Sequence, residues 1–232
     1  MATLGLLQCD SLDPPHVDVD GDYDRLFADL LARDDDVDLA VYRAFEGELP
    51  SSPGDCDAWI VPGSRRSVYE DVGWITDLRR LVARMLADGT PLVGICFGHQ
   101  MIAMELGARV ERAECGWNVG AVRYDLHDPV PDDGDAALTL IASHQDQVLD
   151  LPDGATLLAS TPTCPVAGFT VGDDVLCIQA HPEFTAALAG SLYRSRVDRI
   201  GAEPIARALD TLSRPLDRER VASWIVDFAS DR

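Results

Sequence analysis

The segment Gly94-Ile95-Cys96-Phe97-Gly98 has the residue types and the spacing of a cysteine nucleophile. An apolar stretch, Pro91-Leu92-Val93, precedes it and predicts a buried strand, and a helical pattern follows it. A nucleophile at such a strand-to-helix turn, flanked by glycines that permit the bend, is typical of a nucleophile elbow. The start of the helix favours the thiolate, and the amide of Phe97 faces the position of a developing oxyanion. A buried structural cysteine is the alternative interpretation of this turn.

A thiolate nucleophile needs a base and a group that orients the base. The segment His181-Pro182-Glu183 supplies both, and it follows a predicted strand at 175–179. Because the carboxyl ends of parallel strands meet at one edge of a sheet, we expect His181 beside Cys96. Glu183 would accept a hydrogen bond from the imidazole and fix its tautomer. The three residues therefore predict a nucleophile, an acid–base group and an orienting carboxylate.

Three segments, at 91–100, 142–146 and 180–184, resemble the signature blocks of class I (triad-type) glutamine amidotransferases. The chain is most similar to stand-alone proteins that resemble the glutaminase domain of GMP synthase, over residues 3–190. The resemblance implies a flavodoxin-like α/β fold: a three-layer sandwich with a mostly parallel central sheet and a small additional antiparallel sheet. It implies that Cys96 attacks the γ-carboxamide of glutamine, or a related γ-glutamyl amide, and forms a thioester. His181 would protonate the leaving amine and then activate water.

The resemblance also implies where the substrate binds. Gln100, four residues after the nucleophile, would help to hold the amino-acid end of the substrate. The family block Ser-His-Gly-Asp reads Ser143-His144-Gln145-Asp146 here, so that Gln145 replaces a glycine. His144, Gln145 and Asp146 are expected beside the α-amino and α-carboxylate groups, where this change could alter specificity.

A second oxyanion amide is expected from the loop 62–69, which follows an earlier strand. The family often has Gly-Gly-Pro where this chain has Gly63-Ser64-Arg65, and either Gly63 or Ser64 could supply the amide. Arg65 and Arg66 are interpreted as surface residues, or as ligands of a substrate carboxylate.

The remaining candidates favour structural roles. His99 is expected to pack at the start of the helix, and Trp117 and Asn118 to lie in a turn or in the core. The six cysteines show no CxxC spacing, which disfavours a zinc ribbon or a redox pair. We expect no metal and no cofactor.

The elements that would position these residues alternate in the first half of the chain. Apolar runs and helical spacing predict strands at 3–9, 37–42, 58–61 and 91–95, and helices at 23–33, 74–86 and 98–106. Strands that alternate with helices indicate a parallel, doubly wound sheet.

The second half has shorter strands, predicted at 119–124, 138–142, 156–160, 167–171 and 175–179. They indicate an added antiparallel or mixed sheet. Helices return after Phe184, and the last one, near 221–228, has Val221, Trp224 and Ile225 on one face. We therefore expect an amidotransferase-like domain over residues 1–200 and a C-terminal helical extension, 201–232, packed on the same domain.

Composition limits the partners of the chain. Its 232 residues include 40 acidic and 19 basic side chains, all of the latter arginine, for a net charge of −21. Such an acidic surface repels phosphate backbones and anionic lipids, so neither a nucleic-acid nor a membrane partner is expected. The chain shows neither a signal peptide nor a membrane-spanning apolar run, which indicates a cytoplasmic protein. The absence of lysine fits either a salt-adapted cytoplasm or a GC-rich genome.

Two enzymatic functions remain open at this stage. No synthetase domain fits in the chain, and it has no GxxxxGK[ST] phosphate loop. The protein is therefore either a self-sufficient hydrolase of γ-glutamyl amides and peptides or a glutaminase subunit that delivers ammonia to a separate synthetase partner. An inactive regulatory homologue is disfavoured by the intact Cys96, His181 and Glu183. The intracellular-protease-like proteins with a cysteine elbow fit the His-x-Glu segment poorly.

Overall fold

The computed structural model describes residues 2–32, 37–127, 130 and 134–230. Its strands are β1 (Ala2–Leu7), β2 (Val37–Tyr42), β3 (Ala58–Val61), β4 (Leu92–Ile95), β5 (Val110–Arg112), β6 (Asn118–Leu126), β7 (Ala137–His144), β8 (Asp146–Val148), β9 (Thr156–Thr161), β10 (Cys164–Val171) and β11 (Val175–Ile178). Its helices are α1 (Val17–Asp20), α2 (Tyr23–Leu31), α3 (Gly73–Ala87), α4 (Phe97–Glu105), α5 (Ala186–Ser195), α6 (Val197–Ile200), α7 (Ala202–Thr211) and α8 (Arg218–Ser230). Short 3-10 turns lie at Ala44–Glu46 and Pro53–Asp55.

Nine of these strands form one mixed sheet, in the order β2-β1-β3-β4-β11-β10-β9-β6-β7. The strands from β2 to β11 in this order run parallel, and the sheet continues antiparallel from β10 to β7. β5 and β8 form a separate antiparallel pair. The expected fold class is confirmed, with one difference in detail. The short strands of the second half extend the central sheet, and the small sheet is built from two segments that the sequence pattern did not predict.

Helices cover both faces of the sheet. Along β3, Ala58 and Ile60 belong to one buried cluster, and Trp59 and Val61 belong to another. Successive side chains of a strand point to opposite faces, so the two clusters lie on opposite sides of the sheet. The first cluster includes buried side chains of α2, α5, α7 and α8, and the second includes those of α3 and α4. The result is the expected three-layer arrangement.

Helix α3 shows how the sequence pattern builds these layers. Its buried residues recur at the helical period and are Ile75, Leu78, Leu81, Val82 and Met85. Burial of each such side chain contributes about 1.5–3 kcal/mol. The helix predicted at 74–86 is thus confirmed within a residue at each end. The helix predicted at 23–33 ends at Leu31, and position 33 lies outside the described residues.

The C-terminal helices return to the same core. Helix α8 buries Val221, Trp224 and Ile225 in the cluster that also contains residues of β1 and α2. Helix α7 contacts β6. Within the described residues, no helix has both the length and the apolar composition of a membrane span.

Candidate active site

Cys96 lies in the sharp turn between β4 and α4. Its φ of 52° makes it the one non-glycine residue with positive φ in the part of the chain that the structure describes. A conformation of this kind costs about 1–3 kcal/mol and persists only where the surroundings hold it. The backbone N–H of Cys96 donates to the carbonyl of Ile178 at 2.9 Å, which ties the turn to β11. The side chain is 5% exposed and lines a pocket.

The glycines around Cys96 permit close backbone packing. A Cβ at Gly98 would lie 1.9 Å from the carbonyl oxygen of Val61. The amide of Gly98 donates to the carbonyl of Pro62 at 3.2 Å. The first turn of α4 is therefore packed directly on the loop that follows β3, which is where the second oxyanion amide is expected.

His181 and Glu183 form a buried pair just after β11. The His181 Nδ1 to Glu183 Oε1 distance is 2.7 Å, and the imidazole stacks on Phe184 with the ring centroids 4.1 Å apart. The backbone N–H of His181 donates to the carbonyl of Ile141 at 2.8 Å. Glu183 is fully buried, and its Oε2 has no partner within the described residues. The carboxylate fixes the imidazole through Nδ1, which leaves Nε2 available for proton transfer.

Cys96 and His181 both lie close to Gly63, which leaves space for them because it has no side chain. A Cβ at this position would lie 2.7 Å from Cε1 of His181 and 3.8 Å from Cβ of Cys96. The two side chains therefore meet the same glycine. Gly63 is buried and Ser64 lines the pocket, so both stay candidates for the second oxyanion amide. Phe97 is the first residue of α4, so its N–H lacks an intrahelical acceptor.

The electrostatic surroundings favour a protonated His181. Burial by itself lowers the pKa of the imidazole, but the negative charges of a Cys96 thiolate and of Glu183 raise it to about 10. The imidazole therefore carries a proton at neutral pH. His144, in contrast, is neutral, because burial lowers its pKa to about 4.

Arg218, the first residue of α8, forms hydrogen bonds with the backbone of the turn that contains His181 and Glu183. Its Nε donates to the carbonyl of Pro182 at 2.7 Å, and its Nη2 donates to the carbonyl of Glu183 at 3.1 Å. The sequence analysis did not identify this contact. It connects the C-terminal helix directly to the acid–base pair.

The predicted substrate residues lie together on the α4 side of Cys96. Gln100 Nε2 donates to the backbone carbonyl of Asp146 at 2.8 Å and to Gln179 Oε1 at 3.1 Å. Ser67 Oγ donates to the carboxylate of Asp146. His144 Nδ1 lies 3.1 Å from the Asp146 carbonyl. These contacts fix the wall of the pocket that the sequence assigns to the amino-acid end of the substrate.

A pocket of about 270 Å³ lies above Cys96. Seven predicted residues line it: Ser64, Cys96, Gln100, His144, Gln145, Asp146 and His181. The other three, Gly63, Phe97 and Glu183, are buried behind this lining.

The guanidinium of Arg65 is engaged in hydrogen bonds with two aspartates. Its backbone N and Nε donate to Asp10 at 2.8 and 2.9 Å, and its Nη1 donates to Asp13 at 2.9 Å. These hydrogen bonds raise its pKa. Arg66 pairs with Glu70 at 3.0 Å. Both arginines line the pocket: Arg65 connects its loop to the segment after β1, and Arg66 forms an ion pair within its own loop.

Sequence reasoning missed part of the pocket wall. Trp117, expected in a turn or in the core, lines the pocket, as do Arg196 and Arg199. The signal that could have found the arginines is charge, since Arg194, Arg196 and Arg199 lie within six residues of a strongly acidic chain.

Two other expectations concern histidine and metals. His99 is fully buried, with Nδ1 3.2 Å from Gln179 Oε1, and burial lowers its pKa to about 3, which fits a packing role. A search of the described residues finds no group of three or more histidine, cysteine or acidic side chains arranged to hold a metal.

Comparisons with known proteins identify the family of the chain. A family model described as glutamine amidotransferase class-I matches residues 29–196. Gamma-glutamyl peptidase 3 of Arabidopsis thaliana is 33% identical over 170 residues, which are 69% of this chain and 67% of that protein. GMP synthase (glutamine-hydrolyzing) of Cellvibrio japonicus is 38% identical over 141 residues, which are 56% of this chain and 26% of that protein. The crystal structure of a glutamine amidotransferase from Thermotoga maritima has a TM-score of 0.75 at 20% identity and covers 99% of this chain and 96% of that one. Since the family model spans most of the chain, the protein belongs to the class-I glutamine amidotransferase family.

Proposed function

We propose that this protein hydrolyses γ-glutamyl amide bonds, in glutamine or in γ-glutamyl amines and peptides, without a synthetase partner. The observation that carries the proposal is the buried His181–Glu183 pair beside Cys96 at the base of the pocket. A nucleophile, a proton donor and an orienting carboxylate in this arrangement suffice for acyl transfer to water.

In the first half of the reaction, the Cys96 thiolate attacks the γ-carbonyl carbon of the glutamyl group. The amide of Phe97 and that of Gly63 or Ser64 stabilise the oxyanion. The C–N bond breaks as protonated His181 gives its Nε2 proton to the leaving nitrogen. A γ-glutamyl thioester on Cys96 and a free amine result.

In the second half, water attacks the thioester carbonyl while neutral His181 takes a proton from it. The C–S bond breaks, glutamate leaves, and Cys96 returns as a thiolate beside protonated His181. Glu183 keeps the imidazole in the tautomer that both steps need. Gln100 and Asp146 hold the α-amino and α-carboxylate groups of the glutamyl part throughout.

The relatives support hydrolysis over ammonia delivery. The match to the gamma-glutamyl peptidase extends over about two thirds of both chains, whereas the match to the GMP synthase covers 26% of that protein. The shared part of the GMP synthase still supports a second candidate function, a glutaminase subunit that passes ammonia to a separate synthetase.

Glutamate release from the purified protein tests the proposal. The panel contains glutamine, γ-glutamyl alkylamides and γ-glutamyl amino acids, and the Cys96→Ser variant is assayed in parallel. We expect release by the natural protein, and a fall of about 10⁴-fold or more in kcat for Cys96→Ser, as for loss of other catalytic nucleophiles. Equal release by both proteins would refute the mechanism. No release from any compound, together with rapid alkylation of Cys96 by iodoacetamide, would favour the glutaminase subunit.

A further inference from the structure

The pocket has a second end, on the opposite face of the sheet from the predicted glutamyl end. Gln100 belongs to α4, which packs with one buried cluster. Tyr23 of α2 and Leu192 of α5 also line the pocket, and they belong to the other cluster. Cys96 lies between the two ends. A substrate whose amino-acid end contacts Gln100 therefore extends its leaving group towards α2 and α5.

Arg196 lies at this second end, in the turn between α5 and α6. The residue is half-buried and lines the pocket. Its Nη1 donates to Ser143 Oγ at 3.0 Å. The other guanidinium donors of Arg196 have no partner within the described residues, and no carboxylate there forms an ion pair with it. A guanidinium in such a position has the donor geometry to bind a carboxylate in two hydrogen bonds.

Charged groups of both signs surround Arg196, and none of them forms an ion pair with it within the described residues. Arg199 lies close enough to lower the pKa of Arg196, after the larger effect of burial, and its guanidinium lies over the ring of Trp117, 4.8 Å from the centroid. Asp10 also lines the pocket, but its carboxylate accepts three hydrogen bonds from Arg65. His16 lines the same end and is neutral, because burial and the charge of Arg196 lower its pKa.

Arg196 and Arg199 are close enough for their like charges to repel each other, and an anion near both would relieve this repulsion. Asp10 is close enough to interact electrostatically with Arg196, and Glu70 with Arg199, but within the described residues neither carboxylate forms an ion pair with these arginines. The remaining guanidinium donors of Arg196 are therefore expected to bind a carboxylate of the ligand.

We propose that Arg196, assisted by Arg199, binds a carboxylate of the leaving group, so that the preferred substrates are γ-glutamyl amino acids with a free carboxylate next to the released amine. This inference rests on the proposed function, because it takes the glutamyl end to lie at Gln100 and Asp146. The pocket volume of about 270 Å³ suits a substrate of dipeptide size, since pockets for larger ligands measure about 300–1,000 Å³.

Two ligands that differ only in charge test the proposal: γ-glutamylglycine and γ-glutamylglycinamide. Their dissociation constants are measured by isothermal titration calorimetry on the Cys96→Ser variant, which cannot turn them over. We expect the acid to bind at least about tenfold more tightly than the amide, as for a charge-assisted pair of hydrogen bonds. In Cys96→Ser/Arg196→Gln this preference should disappear. It should persist in the control Cys96→Ser/Arg194→Gln, because Arg194 lies on α5 outside the pocket lining.

Arg199→Gln provides a second variant, should Arg196→Gln fail to fold. Arg199 is exposed, and its replacement should reduce the preference without affecting the melting temperature. Equal affinity of acid and amide for Cys96→Ser, or no binding of either, would overturn the proposal. An equal loss of affinity for both ligands in Arg196→Gln would also overturn it, since Arg196 would then bind the glutamyl end.

Turnover separates this inference from the proposed function. With Cys96 present, Arg196→Gln should lower kcat/KM for γ-glutamylglycine at least about tenfold and change that for glutamine less than about twofold. Preferential binding of the acid with no release of glutamate from any compound would refute the hydrolase and leave the carboxylate site standing. Release of glutamate, with the same rate loss for both substrates in Arg196→Gln, would refute the carboxylate site and support the hydrolase.

Discussion

At the scale of single residues, the side chains of Cys96 and His181 both pack against Gly63. Glycine is needed at position 63 for space and not for its backbone angle, because the added Cβ would lie 2.7 Å from the imidazole. Cys96, in contrast, carries a strained positive φ of 52° with a side chain present. The two residues together decide where the thiolate and the imidazole can lie.

Gly63→Ala should therefore damage catalysis more than folding. The methyl group displaces the imidazole from Cys96, and a displacement of about 1 Å costs about 10²-fold in rate. We expect kcat to fall by about that factor, with KM and the melting temperature little changed. Steady-state kinetics and thermal melts measure both. A variant with unchanged kcat would show that His181 has more freedom than the packing indicates.

The protonation of His181 gives a second prediction at this scale. The pKa is raised from 6.5 to about 10, so the proton stays on the imidazole across the neutral range. Because the folded-state pKa lies above the unfolded one, the stability that this proton provides is full below pH 6.5 and is lost as pH rises through about 10. Cysteine acylation needs protonated His181, so kcat/KM should also fall as pH approaches 10.

Histidine NMR titration of the natural protein and of Cys96→Ser measures this effect. Removal of the thiolate charge should lower the pKa of His181 in Cys96→Ser, while that of His144 should remain low. The same pKa for His181 in both proteins would mean that Glu183 alone holds the proton on the imidazole.

At the scale of elements, α8 acts on the site through Arg218. The guanidinium spans the carbonyls of Pro182 and Glu183 and thereby positions the turn that carries the acid–base pair. Arg218 is a positioning residue, since it does not line the pocket. We propose that residues 201–232 are an extension of the amidotransferase domain that has this task.

Arg218→Gln should lower kcat about tenfold with KM unchanged, because the turn loses two hydrogen bonds to a charged donor, each worth about 1.5–3 kcal/mol, and shifts. The control is Arg207→Gln on α7, whose guanidinium pairs with exposed Glu203. A fall in melting temperature with no change in kcat would assign Arg218 a purely structural role. Partial rescue of kcat by Arg218→Lys would support positioning.

The sequence pattern predicted the fully buried strands of the central sheet but not the two strands of the small sheet. Fully buried strands such as β3 and β4 are runs of apolar residues, and such runs are recognisable without tertiary contacts. β5 and β8 have three residues each and contain Glu111, Arg112 and Asp146, so no alternation identifies them. They form because each supplies the hydrogen-bond partner of the other.

The sequence predicted the triad but not the end of the pocket that Arg196 and Arg199 line. The difference is again one between local patterns and tertiary contacts. Cys96 and His181 occur in motifs whose local spacing reflects their chemistry. Trp117 and Arg196 are separated from these motifs along the chain, and they reach the pocket through the packing of α5, α6 and β6. Only the assembled sheet brings Ser143 of β7 to Arg196.

At the scale of the whole molecule, the net charge of −21 opposes folding through self-repulsion. Salt screens this repulsion, and most of the effect is reached by about 0.5 M, where the Debye length is near 4 Å. If the composition reflects adaptation to salt, the melting temperature should rise by several degrees between 0.05 and 0.5 M KCl.

Thermal melts over this KCl series measure the effect, with an equal series in sucrose as the control for excluded-solute stabilisation. A melting temperature independent of KCl would favour the GC-rich genome as the origin of the lysine-free composition.

The close packing at Gly98 and Gly63 has a consequence for directed evolution of this enzyme. A side chain at either glycine meets backbone or the imidazole, so libraries that randomise these positions will contain almost no active members. The turn between α5 and α6 is different, because Ser195 and Arg199 are exposed and border the pocket. Diversity introduced there, and kept away from the glycines, should yield catalysts with altered leaving-group preference and an intact reaction centre.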